Sequence, residues 1–199
     1  AFEGATGEYD TTSTGAPEGS FALEQTSGNN NRVIISTPGD GLPNYPREGD
    51  IVSCLISVPS GGQSSALFIN CEIAGGNVDA YSIWIRDDNE YRIMRHDSSP
   101  ATDTSTNRTT LSSGAIGGTV DPDTFYWLEV QMPTSTQDIE GYLFEFDTTT
   151  FEIGSQVGSS FSATDTNHVS NRGVGAMLSL PETNEAFFDL IGIMDSSSA

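Results

Sequence analysis

The sequence predicts an all-β fold of about a dozen strands, packed as two antiparallel sheets. Three observations predict it. No stretch of a dozen residues repeats its apolar positions with a helical period. Short runs instead alternate apolar and polar residues at period two, as a strand with one buried face does. Gly, Pro, Ser and Thr break these runs at intervals of about 8–12 residues, the rhythm of a sandwich or barrel. At 199 residues, with no internal repeat and no linker composition, residues 1–199 read as one domain ending in a short frayed tail, Asp195 to Ala199.

In chain order, Gly4 to Pro17 is turn-rich. Ser20 to Thr26 alternates Phe21 and Leu23, and Arg32 to Thr37 alternates Val33 and Ile35, which predicts two short strands joined at Asn29-Asn30-Asn31. Pro38 to Gly49 is a loop. Asp50 to Ala74 predicts a hairpin folded about Gly62 and Gln63, which sets Val52 opposite Ile73, Cys54 opposite Cys71, Ile56 opposite Ile69 and Val58 opposite Leu67. A second hairpin, Ala80 to His96 with its turn at Asp88-Asn89-Glu90, faces Ile85 with Ile93 and buries Tyr81, Ile83 and Tyr91. Trp84, Arg86, Arg92 and Met94 then share its other face. Ser98 to Thr110 reads as a mobile polar loop. Leu111 to Val120, Thr124 to Met132, Gly141 to Asp147, Phe151 to Val157, Gly173 to Leu180 and Ala186 to Met194 complete the strands. In the second of these, Tyr126, Leu128, Val130 and Met132 form one row and Phe125 and Trp127 begin the other.

Composition excludes several classes of partner. The formal net charge is −21, from 28 acids against seven bases, and all seven bases are arginine. So acidic a surface repels phosphate backbones and anionic headgroups, which argues against nucleic-acid and membrane-surface roles. A lysine-free, carboxylate-rich chain of this kind suits multimolar salt, where self-repulsion is screened. No apolar run approaches the roughly 20 residues of a membrane span, and no signal peptide is visible ahead of Phe2-Glu3-Gly4.

Few residues carry chemistry. Facing Cys54 and Cys71 are either buried free thiols or a cross-strand disulfide; zinc lacks the CxxC spacing and a nearby His. A glycosidase needs paired carboxylates, and the nearest set is Glu145, Asp147 and Glu152. There Glu152 follows a Thr148-Thr149-Thr150 turn, which leaves Glu145 and Asp147 as outward carboxylates between buried Phe144 and Phe146. His96 and His168 read as exposed loop residues outside any Ser or Cys constellation. Gly173-Val174-Gly175 lacks the strand-to-helix context of a phosphate loop. Asn107-Arg108-Thr109 is a lone glycosylation sequon. Arg86, Arg92, Arg95 and Arg108 cluster in and after the second hairpin. Arg86 and Arg92 flank Trp84, a ligand-binding candidate set: the ring can stack on a sugar while the guanidinium groups grip hydroxyls, carboxylates or sulfates. The same residues suit a protein–protein hot spot, or a face packed under a loop with Arg–carboxylate pairs.

Four stretches together resemble the concanavalin A-like lectin/glucanase jelly roll, in its laminin-G-like form common in haloarchaeal proteins. They are Glu18 to Leu23, Leu42 to Asp50, Asp123 to Val130 and Phe187 to Ile193. The resemblance implies two curved sheets, with any glycan site on the concave face or in the loops at one rim. It implies a possible structural calcium held by Glu3 and Asp189, and no required cofactor. Because this fold hosts lectins, enzymes and structural modules alike, function needs a site. The favoured expectation is a non-enzymatic virion surface protein of a halophilic archaeal virus: a capsid turret, decoration or tail-associated component. It would contact other copies of itself, other virion proteins and host-surface glycan. The alternative is a glycan-binding module of a halophile's cell-surface or secreted protein, and the third reading is a polysaccharide-degrading enzyme.

Overall fold

The computed structural model describes residues 3–4, 9–12, 22–25, 33–38, 45–58, 60–61, 63–179 and 187–194, of which 3–4, 9–12, 22–25, 178–179 and 187–194 are described as backbone alone. These residues form no helix. Their fifteen strands are β1 (Glu3–Gly4), β2 (Tyr9–Thr12), β3 (Ala22–Gln25), β4 (Ile34–Ser36), β5 (Ile51–Ser57), β6 (Ser64–Ala74), β7 (Asn77–Arg86) and β8 (Glu90–Pro100). Then follow β9 (Arg108–Ala115), β10 (Phe125–Gln131), β11 (Ile139–Asp147), β12 (Glu152–Gln156), β13 (Phe161–Ala163), β14 (Gly173–Ser179) and β15 (Phe187–Met194). One sheet runs β1-β4-β14-β6-β7-β8-β9; the other runs β12-β11-β10-β5-β15-β3-β2, with β13 also paired to β11. The fold is therefore the expected all-β, two-sheet antiparallel jelly-roll sandwich. β1 and β2 lie where the sequence suggested only turns, and the tail after Met194 lies outside the described residues.

The core lies between the sheets. Val52, Cys54 and Ile56 of β5 and Val58 just after it meet Leu67 and Ile69 of β6, Tyr81, Ile83 and Ile85 of β7, and Leu128 and Val130 of β10. Fully burying aliphatic or aromatic side chains of this size contributes about 1.5–3 kcal/mol each. A second apolar layer covers the outer face of the seven-stranded sheet, with Phe68, Cys71, Trp84, Met94 and Met177 packed under Val33 and Ala101.

The expected hairpin from Asp50 to Ala74 is an arch instead. β5 pairs with β10 and β15 in one sheet, while β6 pairs with β7 and β14 in the other. The apolar rows of β5 and β6 do face each other, but across the core rather than side by side. Ser65 Oγ, donating to the Ser57 carbonyl at 2.6 Å, clamps the two arms. The hairpin that does form joins β6 to β7 at Gly75 and Gly76, whose positive φ values of 59° and 81° suit a tight two-residue turn.

A bulge separates the two cysteines. The β6–β7 register shifts between Ile69 and Glu72, and Asn70 sits there with φ 49°. The shift turns Cys71 to the outer layer while Cys54 stays between the sheets. Both are free and buried, and burial pushes both thiols well up. Of the two readings left open by the sequence, the structure gives the buried thiols.

The β7–β8 hairpin forms two residues out of the expected register, with Ile83 opposite Ile93 and Ile85 opposite Tyr91. The predicted loop is shorter than expected and partly packed. β8 extends to Pro100 and β9 starts at Arg108, while Ala101 and Thr104 are buried against the outer layer.

Candidate functional site

On β10 and β11 one parity faces the core: Tyr126, Leu128 and Val130 on the first strand, Leu143 on the second. The other parity faces outward, because side chains alternate along a strand. It presents Phe125, Trp127 and Glu129 on β10 and Tyr142, Phe144 and Phe146 on β11, all half-buried. The register sets Trp127 opposite Phe144 and Glu129 opposite Tyr142. The Trp127 and Phe146 rings lie 6.4 Å apart and 21° from parallel; Tyr142 and Phe144 lie 6.5 Å apart at 23°. Trp127 Nε1 donates to Glu129 Oε1 at 2.8 Å, which fixes the indole against the sheet. The result is a band of aromatic rings edged by carboxylates. This overturns the expectation that Phe144 and Phe146 are buried: Leu143 takes the core position, so parity turns both rings out.

Two depressions flank the end of this band. The first, about 510 Å³, shares Phe125 and Phe146 with it and adds Asp121, Thr124, Glu145 and Gln156 as polar groups. Its floor is a close crossing of two loops, where Ser159 N donates to the Ile116 carbonyl and Gly158, at φ 71°, leaves no room for a Cβ. The Tyr126 hydroxyl accepts from Asp121 N at 2.7 Å, and burial raises its pKa. The second depression, about 580 Å³, lies beyond Phe146 and is lined by Glu145, Asp147 and Glu152. The sequence reading held these three acids apart. β12 folds back on β11 and sets Glu152 opposite Asp147, which brings them together. Asp147 is held low by the Thr149 and Thr150 backbone N–H groups, opposite to what a proton-donating acid needs. Phe151 and Ile153, 47% and 49% exposed, extend the apolar surface at this edge.

The sequence-predicted site residues are placed elsewhere. Trp84 is only 5% exposed, with the Arg108 guanidinium 5.5 Å from its ring centroid, so no open ring face is offered to a sugar. Arg86 is bound to Asp88 at 2.8 Å and approaches Glu90; Arg92 lies 3.6 Å from Glu90. This is the packed face with Arg–carboxylate pairs. His96 lies within β8 and is fully buried, not in a loop, and its Nε2 is 2.7 Å from Ser82 Oγ. That Ser–His contact is sealed from any substrate. His168 sits against Asp97 at 3.2 Å, with 12% of its side chain exposed. Glu3 lies on β1 of one sheet and Asp189 on β15 of the other, opposite Leu55. Their side chains lie outside the described residues, as does any test of the calcium they were expected to hold. Among the described residues no three His, Cys, Asp or Glu side chains form a metal-holding group.

No family model matches the sequence, and no curated protein matches it. Solved structures do share its architecture. The carbohydrate-binding module CBM66 from Bacillus subtilis superposes with a TM-score of 0.55 at 10% identity, covering 94% of this chain and 96% of that one. The legume lectin-like domain from Entamoeba histolytica gives 0.55 at 9% identity, covering 96% and 91%. At this identity the likeness is one of fold: the chain has the two-sheet jelly-roll sandwich also found in a carbohydrate-binding module and a lectin-like domain.

Proposed function

We propose that this chain is a glycan-binding module that engages neutral sugars on the outward face of β10 and β11. The observation that carries the reading is the Trp127–Phe146–Phe144–Tyr142 band, with Glu129 orienting the indole. Flat apolar rings suit the C–H faces of a sugar, and a few fixed polar groups set its orientation. Among the described residues, the charged groups around the band are carboxylates: Asp121, Glu129, Glu140, Glu145 and Asp147. They accept from hydroxyls and repel uronates and sulfates. The module works without turnover, at a cell exterior or particle surface.

The test is an array of neutral gluco-, manno-, xylo- and fructo-oligosaccharides, followed by calorimetry on the best binder. Trp127→Ala should weaken binding roughly 30-fold or more, the effect of removing an aromatic anchor of about 2 kcal/mol. Equal affinity of the folded variant would sink the reading. The three acids in the second depression favour one rival, a glycoside hydrolase. Release of reducing ends that Glu145→Gln abolishes would establish it. Placement on a virion adds a requirement for assembly. A discrete ring in about 3 M KCl supports that placement, and a monomer supports the free module.

A further inference from the structure

Arg86, Arg92 and Arg95 are each paired with carboxylates, and Arg108 lies over Trp84. Arg47 and Arg172 differ: among the described residues neither guanidinium has a carboxylate partner. Both line one depression of about 450 Å³, with Glu48, Val169 and Ser170. That volume lies within the range of about 300–1,000 Å³ common to ligand pockets.

The walls of this pocket are built by groups away from its mouth. Arg172 Nε donates to the Pro46 carbonyl at 3.1 Å and Nη2 to the Tyr45 carbonyl at 2.8 Å, so the guanidinium is held while N–H donors remain over. Buried Asp50 closes the turn that carries Arg47: its carboxylate accepts from Arg47 N at 2.8 Å, and its own N–H donates to the Arg47 carbonyl at 3.1 Å. Buried Asn70, at the β6 bulge, donates from Nδ2 to the Val169 and Asn171 carbonyls at 3.2 and 3.1 Å. This pins the opposite wall. Arg172 thus presents a held guanidinium and Arg47 an exposed, unbonded one on a fixed backbone turn, both lining one depression without the paired acids that neutralise three of the other arginines.

We propose that the Arg47–Arg172 pocket binds an oxyanion, with the carboxylate of a uronic acid or a free carboxylate as the occupant. A guanidinium fork matches a carboxylate in two parallel hydrogen bonds, and charge-assisted bonds of this type are the strong ones. Ser170 supplies a hydroxyl for a sugar ring. Glu48 weakens the hold on a bare anion and accepts from a sugar hydroxyl. The pocket uses no residue of the aromatic band, so the two sites stand or fall separately.

The experiment is titration of the ¹⁵N-labelled chain at one fixed KCl concentration with sodium glucuronate, sodium acetate and glucose. The readout is the Arg172 Nε–H signal and the amides of residues 169–172. Glucuronate should shift them saturably and glucose should not. Arg47→Gln should weaken glucuronate roughly tenfold, and Glu48→Gln should tighten it. Glucuronate binding tighter than acetate identifies a uronate-bearing sugar; equal binding identifies a carboxylate alone. The Arg47 guanidinium makes no hydrogen bond among the described residues, so its removal leaves the fold intact, which an unchanged amide spectrum verifies. The proposal is overturned if glucose gives the same shifts, if no titration saturates, or if Arg47→Gln binds as the parent does.

Discussion

At the scale of single residues, the buried polar chain Trp84–Ser82–His96 is the point where stability and pH meet. Trp84 Nε1 donates to Ser82 Oγ at 2.7 Å, and the Ser82 hydroxyl lies 2.7 Å from His96 Nε2. The Ser82 oxygen accepts the indole N–H and bridges it to the imidazole, so the three side chains form one buried polar chain. Burial pulls the His96 pKa from 6.5 down to about 3; Arg108 and His168 act the same way, against Asp97 and the Thr104 backbone. A histidine depressed on folding stabilises the protein above its unfolded pKa. That contribution is lost as pH falls from about 6.5 toward 3, because the unfolded chain takes up the proton first. Between pH 7 and 4.5 the loss from this one group is about 2–3 kcal/mol. Urea unfolding of His96→Asn should therefore show a shallower decline over that interval than the parent. Parallel declines would mean that His96 is not the neutral group described.

At the scale of elements, β11 has to carry rings outward while letting β13 close over its inner side. Gly141 makes that possible: Phe161 of β13 lies directly over it and stacks on Tyr91 at 4.8 Å and 19°, and a Cβ at position 141 would run into the Phe161 ring. Gly141→Ala should cost about 1–3 kcal/mol through overpacking. For a chain of this size that lowers Tm by roughly 2–4 °C per kcal/mol. Gly141→Ala/Phe161→Leu should recover part of the loss; thermal unfolding followed by circular dichroism measures both. Such contacts were not legible in the sequence, although much else was. Alternation correctly gave the inward rows of β5, β7 and β10, because a row of Val, Ile and Leu can face only a core. It could not say which strand pairs with which. The segment after Val58 turns the chain between sheets as readily as within one, and either route brings Val52 to Val58 toward Leu67 and Ile69. Nor could it see that left-handed Asn70 would reverse the parity of Cys71. On β11 one parity holds Tyr142, Phe144 and Phe146 and the other holds Leu143 with Glu145 and Asp147, so alternation pointed the rings inward, the reverse of what the structure shows. The aromatic band was therefore missed, and Trp84, an equally conspicuous Trp in a strand, was favoured in its place.

At the scale of the whole molecule, charge decides the conditions under which the fold holds. The −21 formal charge is spread over a chain whose described arginines are mostly tied to particular partners, so little positive charge offsets the general repulsion. At 0.1 M salt these charges interact over about 10 Å, and at 1 M over about 3 Å, so concentrated KCl removes most of the mutual repulsion. Raising KCl from 0.1 to 3 M at pH 7 should lift Tm by roughly 5–10 °C, as a gain of a few kcal/mol would. Screening also predicts how that gain depends on pH. Near pH 4, close to the isoelectric point of about 4.1, the net charge vanishes and repulsion with it. There the same salt step should raise Tm by a few degrees at most, even though His96 has already lowered the starting stability. A gain of equal size at both pH values would assign the effect to salting-out of apolar surface and not to charge. No gain at pH 7 would remove the argument from an acidic, lysine-free composition to life in concentrated salt. A large gain at pH 7 that collapses near pH 4 would tie that composition to concentrated salt as the medium in which the fold is most stable.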